Sequence, residues 1–141
     1  MIRIEFDDSL RTGDELVDEQ HRTLIEMFNE LHAASTAGQG TDVVGPLLDR
    51  LHEYTVEHFT AEQRLMTRYR YPASDMLSHV EEHSALTQRV RDLIVQYRES
   101  DFATVLPLAT LLQDWLTRHI RQRDRLVVAH IRQARMAESA G

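Results

Sequence analysis

Seven residues able to bind a metal, His21, His58, Glu62, His79, His83, His119 and Asp124, fall where helical periodicity calls for a core position. An unpartnered buried imidazole or carboxylate costs several kcal/mol, set against the roughly 5–15 kcal/mol by which a whole domain is stable. A fold that buries these side chains must therefore satisfy all seven together. A metal centre does so.

The rest of the composition narrows the field. With 141 residues the natural reading is a single domain that can bury a real core. A formal charge of −7 argues against nucleic acid and anionic membranes, both of which reward basic surfaces. No window approaches the roughly 18 apolar residues of a membrane span. The first 17 residues carry Glu5, Asp7, Asp8, Asp14 and Glu15 with no apolar block, so no secretory signal is expected and a cytoplasmic location is. The absence of cysteine removes disulfides, thiolate metal sites and a cysteine nucleophile together. Nitrogen and oxygen must supply any metal ligands.

Helix signals dominate and strand signals are nearly absent. A short arm runs from Met1 to about Leu16, its Ile2, Ile4, Phe6 alternation too brief to build a sheet. The first helix is expected from about Asp18 to Ala37, stopped by Gly38 and Gly40. A second starts near Thr41 or Asp42, tolerates Pro46 in its first turns and ends by Tyr69, before Pro72. Ser74 or Asp75 can cap a third, running to about Glu99. The fourth starts between Asp101 and Thr104, with Pro107 near its first turn, and continues to about Ala137. Short connections make neighbours antiparallel. The reading is an all-α, up-down-up-down four-helix bundle over about residues 17–137, one domain with a short N-terminal arm at 1–16.

Register brings the histidines together. His21 lies 17 residues before Gly38, His58 lies 17 after Thr41, His83 lies 17 before Ser100 and His119 lies 16 after Ala103. At 1.5 Å per residue, each helix sets its histidine roughly 25 Å from the same end of the bundle. Facing agrees. Val17, His21, Leu24, Phe28 and Leu31 form one inward stripe, as do Leu51, Thr55, His58, Glu62 and Leu65. Met76, His79, His83, Leu86, Val90 and Leu93 form the third; Leu108, Leu112, Trp115 and His119 form the fourth. Asp124 is the exception. Five residues after His119, it lies about 140° round a regular α-helix. A one-residue π-bulge between the two would swing it inward.

A single histidine on an inward stripe is more often a satisfied core residue than a ligand. His32 and His130 read that way: each lies 11 residues beyond a site histidine, in opposite directions along the bundle. His52 points off its stripe and reads as solvated, and Glu53, Glu57, Glu81 and Glu82 read as surface charge. Trp115 and Phe28 read as packing that can also wall a pocket. Chance does not put seven such residues at one level.

Together these residues resemble the hemerythrins, most closely the single-domain bacteriohemerythrins. The matching stretches are Asp18-Glu19-Gln20-His21, His58-Phe59-Thr60-Ala61-Glu62 with Leu65-Met66 after it, His79 and His83, and Trp115-Leu116-Thr117-Arg118-His119-Ile120 leading to Asp124. The likeness spans about residues 6–128. It implies two non-haem iron ions with an oxo or hydroxo bridge. His79, His83 and His119 would hold one iron and His21 with His58 the other, with Glu62 and Asp124 bridging. Two six-coordinate irons so held keep one open position, which the resemblance places on the His21/His58 iron. Phe6, where many bacterial members have tryptophan, and Gln63, where a second glutamate is common, depart from the pattern without removing a ligand.

Imidazole suits iron, zinc, copper and nickel alike, so iron comes from the resemblance. Two acids against five histidines, with no Glu-x-x-His pair, contrast with the carboxylate-rich oxygen-activating di-iron bundles, and no His-Glu-x-x-His zinc-protease motif occurs. The expected function is reversible binding of dioxygen, for storage, delivery or scavenging, in an apolar pocket walled by Leu24, Ile25, Thr55 and Leu116. A sensor of oxygen, nitric oxide or redox state, acting through a partner protein, and a di-iron oxidase or peroxidase are the alternatives. The expected partner is a small diatomic ligand; no protein partner is named by the sequence.

Overall fold

The computed structural model describes residues 4–38, 41–99 and 102–140, with side chains at all of these except 35–36, 41–42, 102–109, 111 and 140. Ile2, Gly40, Ser100 and the side chain of Leu108 lie outside this set. The described residues form α1 (Glu15–Thr36), α2 (Thr41–Arg68), α3 (Ala73–Glu99) and α4 (Phe102–His119), then a π-turn (Ile120–Asp124) and α5 (Arg125–Ala140). No strand occurs among them. Consecutive helices pack against one another and α1 meets α4, which closes the four-helix bundle. No described helix is long and apolar enough to cross a membrane.

Local chemistry explains where the ends differ from the expected ones. α1 starts three residues before Asp18, because Asp14 Oδ1 accepts the Val17 N–H at 3.0 Å and caps the helix there. Asp18, inside the first turn, instead holds the arm: its carboxylate accepts from the Thr12 N–H (2.8 Å), the Thr12 hydroxyl (2.7 Å) and the Gly13 N–H (3.3 Å). α2 closes before Pro72 through the left-handed Arg70 (φ 55°), with Tyr71 N–H on Met66 C=O at 2.9 Å and Arg70 N–H on Thr67 C=O at 3.3 Å. α3 begins at Ala73, since the Pro72 carbonyl already accepts the Met76 N–H at 2.8 Å. Ser74 and Asp75 therefore sit inside its first turn.

The core has two unequal parts. Leu24, Phe28, Leu31, Leu48, Leu51, Leu86, Leu93, Leu112, Leu116 and Ile120 belong to the larger, which Leu10 of the arm joins, fully buried. Met66, Tyr69, Val127 and Ile131 form the smaller. Six of the seven polar residues lie on α2, α3 and the α4–α5 rod, where each helix passes from the larger cluster to the smaller, and the seventh, His21, lies on α1. Asn29 fastens the arm by accepting from the Ile4 N–H and donating to the Ile4 C=O, both at 2.8 Å.

Candidate metal centre

All seven sequence-derived site residues are buried, none more than 4% exposed. α1 contributes His21, α2 His58 and Glu62, and α3 His79 and His83. His119 ends α4, and Asp124 ends the π-turn that starts at the next residue. The expected bulge is therefore present, and it removes the 140° conflict: a wider turn of five residues returns Asp124 to the face of His119.

Their polar atoms fall into two overlapping groups able to hold a cation. One is Glu62, His79, His83, His119 and Asp124; the other is His21, His58, Glu62 and Asp124, with the candidate ligand atoms in each within 4.8 Å of one another. Only the two carboxylates belong to both. Glu62 Oε1 lies 2.6 Å from His79 Nε2, and Glu62 Oε2 lies 3.4 Å from His58 Nε2. Asp124 Oδ1 is 3.0 Å from His79 Nε2 and 3.1 Å from His119 Nε2, while its Oδ2 is 2.8 Å from His21 Nε2. Close as they are, these approaches lack hydrogen-bond alignment. All five Nε2 atoms and all four carboxylate oxygens are buried without a hydrogen-bond partner. Native interiors contain few such atoms. Nine in one cluster fit a site built to surround cations.

Charge is distributed accordingly. Burial alone would lower the pKa of His79, but the Asp124 and Glu62 carboxylates outweigh it and raise the imidazole to about 9. Burial also opposes charge on His119, yet Asp124 holds its pKa above the ordinary value. His83 goes the other way, to about 2, through burial and then the neighbouring His79 and His119. Asp124 is itself held well below the ordinary carboxylate range, the three histidines around it overcoming its complete burial.

Outside these atoms lies a set of supports that periodicity did not reveal. His58 Nδ1 donates to Gln20 Oε1 at 2.7 Å, and His119 Nδ1 donates to Glu82 Oε2 at 2.8 Å. Each bond fixes the tautomer that leaves Nε2 bare toward the centre. The Gln63 amide lies 3.3 Å from His83 Nδ1, where a half-turn of the amide presents its oxygen to the same nitrogen. Glu82 is thus no free surface charge, contrary to its reading from sequence; Arg123 Nε also donates to its Oε1 at 3.1 Å. The available signal was adjacency: Gln20, Gln63 and Glu82 each neighbour a site residue in sequence. Phe59 stacks on His83 (3.8 Å, 4°) and Trp115 on His119 (4.9 Å, 9°). Trp115 is half-buried at the edge of its stripe rather than at its centre.

The remaining histidines stay outside. His52 is half-buried, its Nε2 accepting from Arg91 Nε at 3.2 Å, so it is less solvated than expected. His130 lies 2.6 Å from the Tyr69 carbonyl, and His32 is half-buried on α1. Leu24, Ile25, Thr55 and Leu116 are all buried, and the Thr55 hydroxyl is turned onto the Leu51 carbonyl at 2.7 Å.

Comparison with known proteins agrees with this geometry. The family profile described as "Hemerythrin HHE cation binding domain" matches residues 12–131. The chain belongs to the hemerythrin family. It is 34% identical over 146 aligned positions to the bacteriohemerythrin of Stenotrophomonas maltophilia (strain R551-3), covering 100% of this chain and 93% of that one. Identity to the bacteriohemerythrin of Pseudomonas aeruginosa (strain LESB58) is 32%, over 88% of this chain and 78% of the relative. A hemerythrin-like protein of Naegleria gruberi is 28% identical over 84% of this chain and 86% of its own. A crystal structure of a leucine-to-phenylalanine mutant superposes with a TM-score of 0.70 at 28% identity, covering 82% of this chain and 86% of that one. Placed among hemerythrins, the chain has a clustered set of imidazoles and carboxylates suited to the cation-binding role that the family description gives.

Proposed function

We propose that this hemerythrin binds dioxygen reversibly at a non-haem di-iron centre, as a carrier or store rather than an enzyme. In this reading His79, His83 and His119 would hold one iron, His21 and His58 would hold the other, and Glu62 and Asp124 would serve both, with an oxo or hydroxo bridge completing the pair. The observation that carries it is the sharing of Glu62 and Asp124, alone among the seven, by both cation-holding groups. Bound there, two irons would supply the reversible redox chemistry that binding of a diatomic ligand needs.

The chain's own part is to hold the set rigid and keep it dry. Gln20 and Glu82 lock the imidazoles of His58 and His119 from behind. Leu24, Ile25 and Leu116, buried within a turn of site residues, would keep water out, and the Thr55 hydroxyl proton is committed to the Leu51 carbonyl rather than free to be donated. With few groups able to deliver protons, a bound diatomic molecule leaves as it came. That is the behaviour of a carrier.

Metal analysis should find two irons per chain. Reduced protein opened to air should then develop a stable visible absorption that vanishes under vacuum and returns with oxygen. Rapid oxidation with turnover of an added reductant would replace this reading with an oxidase. A protein that takes up no iron would remove it altogether.

A further inference from the structure

We propose that Glu82, tethered by Arg123, positions His119 so that the His79/His83/His119 group is the tighter of two metal positions and fills first. The inference rests on the metal reading above and extends it by ranking the two positions.

The outer supports run in one direction round the bundle. Gln20, beside His21 on α1, reaches His58 on α2. Gln63, beside Glu62 on α2, reaches His83 on α3. Glu82, beside His83 on α3, reaches His119 at the end of α4. There the series stops. His21 Nδ1 is buried with no hydrogen-bond partner among the described residues.

The two positions are therefore supported unequally. His21 and His58 share one neutral amide between them, and one imidazole is bare. In the other group His83 has an amide and His119 has an anion. A carboxylate accepting from Nδ1–H makes Nε2 a stronger donor to a cation than an amide does, because the charge-assisted bond is the stronger one. Glu82 is also gripped from both sides: Oε2 faces His119 at 2.8 Å and Oε1 faces Arg123 Nε at 3.1 Å. Arg123 lies on the π-turn itself, so the segment that swings Asp124 inward also fixes the carboxylate behind His119. Trp115 backs the same ring. His21 Nδ1 meets neither an amide nor an anion, so nothing behind the ring fixes its tautomer and a cation bound there must impose the order itself.

The test is a stepwise cobalt(II) titration of the metal-free, full-length protein against a competing chelator, followed by visible absorption. Wild type should take two cobalt ions in two affinity classes. Glu82→Ala should weaken the tighter class about 10- to 100-fold and leave the weaker nearly unchanged. Glu82→Gln, which keeps side-chain size and an acceptor oxygen, should lose less, and Arg123→Gln should also act on the tighter class alone. Gln20→Ala should act on the weaker class instead. Equal melting temperatures of the metal-free variants separate this split from a folding defect. Should Glu82→Ala and Glu82→Gln both bind two cobalt ions with wild-type affinities, or lose affinity equally in both classes, the ranking is wrong and the metal reading stands. Wild type that takes up no cobalt overturns both.

Discussion

His119 makes three contacts at once: Nε2 toward the carboxylates, Nδ1 on Glu82 and its ring against Trp115. Truncating it removes a cation donor and strands buried atoms on three helices. His119→Ala, and likewise Glu62→Ala, should leave fewer than two irons per chain and destabilise the fold by roughly 2–4 kcal/mol. Elemental analysis and urea unfolding check both, and unchanged iron would refute the assignment. His52→Ala is the control; its partner Arg91 lies on the surface, so colour and iron content should persist. His79 supplies a pH signature. Its pKa of about 9 in the metal-free protein lies above neutrality, so an incoming cation must displace a proton. Apparent metal affinity should therefore climb by about tenfold per pH unit from 7 toward 9 and flatten above, with proton release visible to an indicator dye. A flat profile would mean that His79 is already neutral. The outer supports were the part of the site that the residue pattern concealed. Gln20 and Glu82 lie beside the inward stripe, where polar residues are ordinary, and only the packing of the next helix gives them a task.

At the scale of elements, four helices were legible because apolar steps of three and four recur for 20 or more residues in each of the first three. Their ends were less so. α1 starts at an Asp14 cap that competes with Asp18 nearby, and the arm's attachment to Asp18 decides between them. The π-turn was legible only as a conflict, a five-residue gap that a regular helix cannot bring onto one face. That geometry yields an asymmetric prediction. Four α-helical residues turn about 400°, so removing Gln122 lets a regular helix keep Asp124 on the His119 face. Inserting an alanine after Gln122 instead rotates Asp124, Val127 and Ile131 by about 100° out of register. The deletion should retain most of its iron, whereas the insertion should lose it and melt earlier while remaining largely helical by circular dichroism. Equal iron in both would show that Asp124 is not placed by this turn.

For the whole molecule, the level at which the histidines meet was readable by counting residues from the bundle end, since antiparallel helices with short links share one ruler. What counting could not supply was the shape of the core on either side. The larger cluster lies between the site and the α1–α2 turn, while the smaller, built on Met66, Tyr69, Val127 and Ile131, is tied through Arg135, which donates to the Tyr69 hydroxyl and to Asp14 at 3.1 Å each. The polar cluster interrupts apolar packing across the whole section of the bundle. Without cations, its buried imidazoles and carboxylates lack aligned hydrogen bonds; with them, the same atoms would cross-link α1, α2, α3 and the α4–α5 rod. A cation that binds only the folded chain stabilises it by about 4 kcal/mol when free metal is 1,000 times its dissociation constant. For a chain of this length that corresponds to roughly 10 °C in melting temperature. Calorimetry of the metal-free and loaded protein should show a rise of at least this size, growing with metal concentration and reversed by a chelator. A loaded protein that melts with its metal-free counterpart would place the bundle's stability in its two apolar clusters alone and leave the seven buried residues without the partner their burial demands.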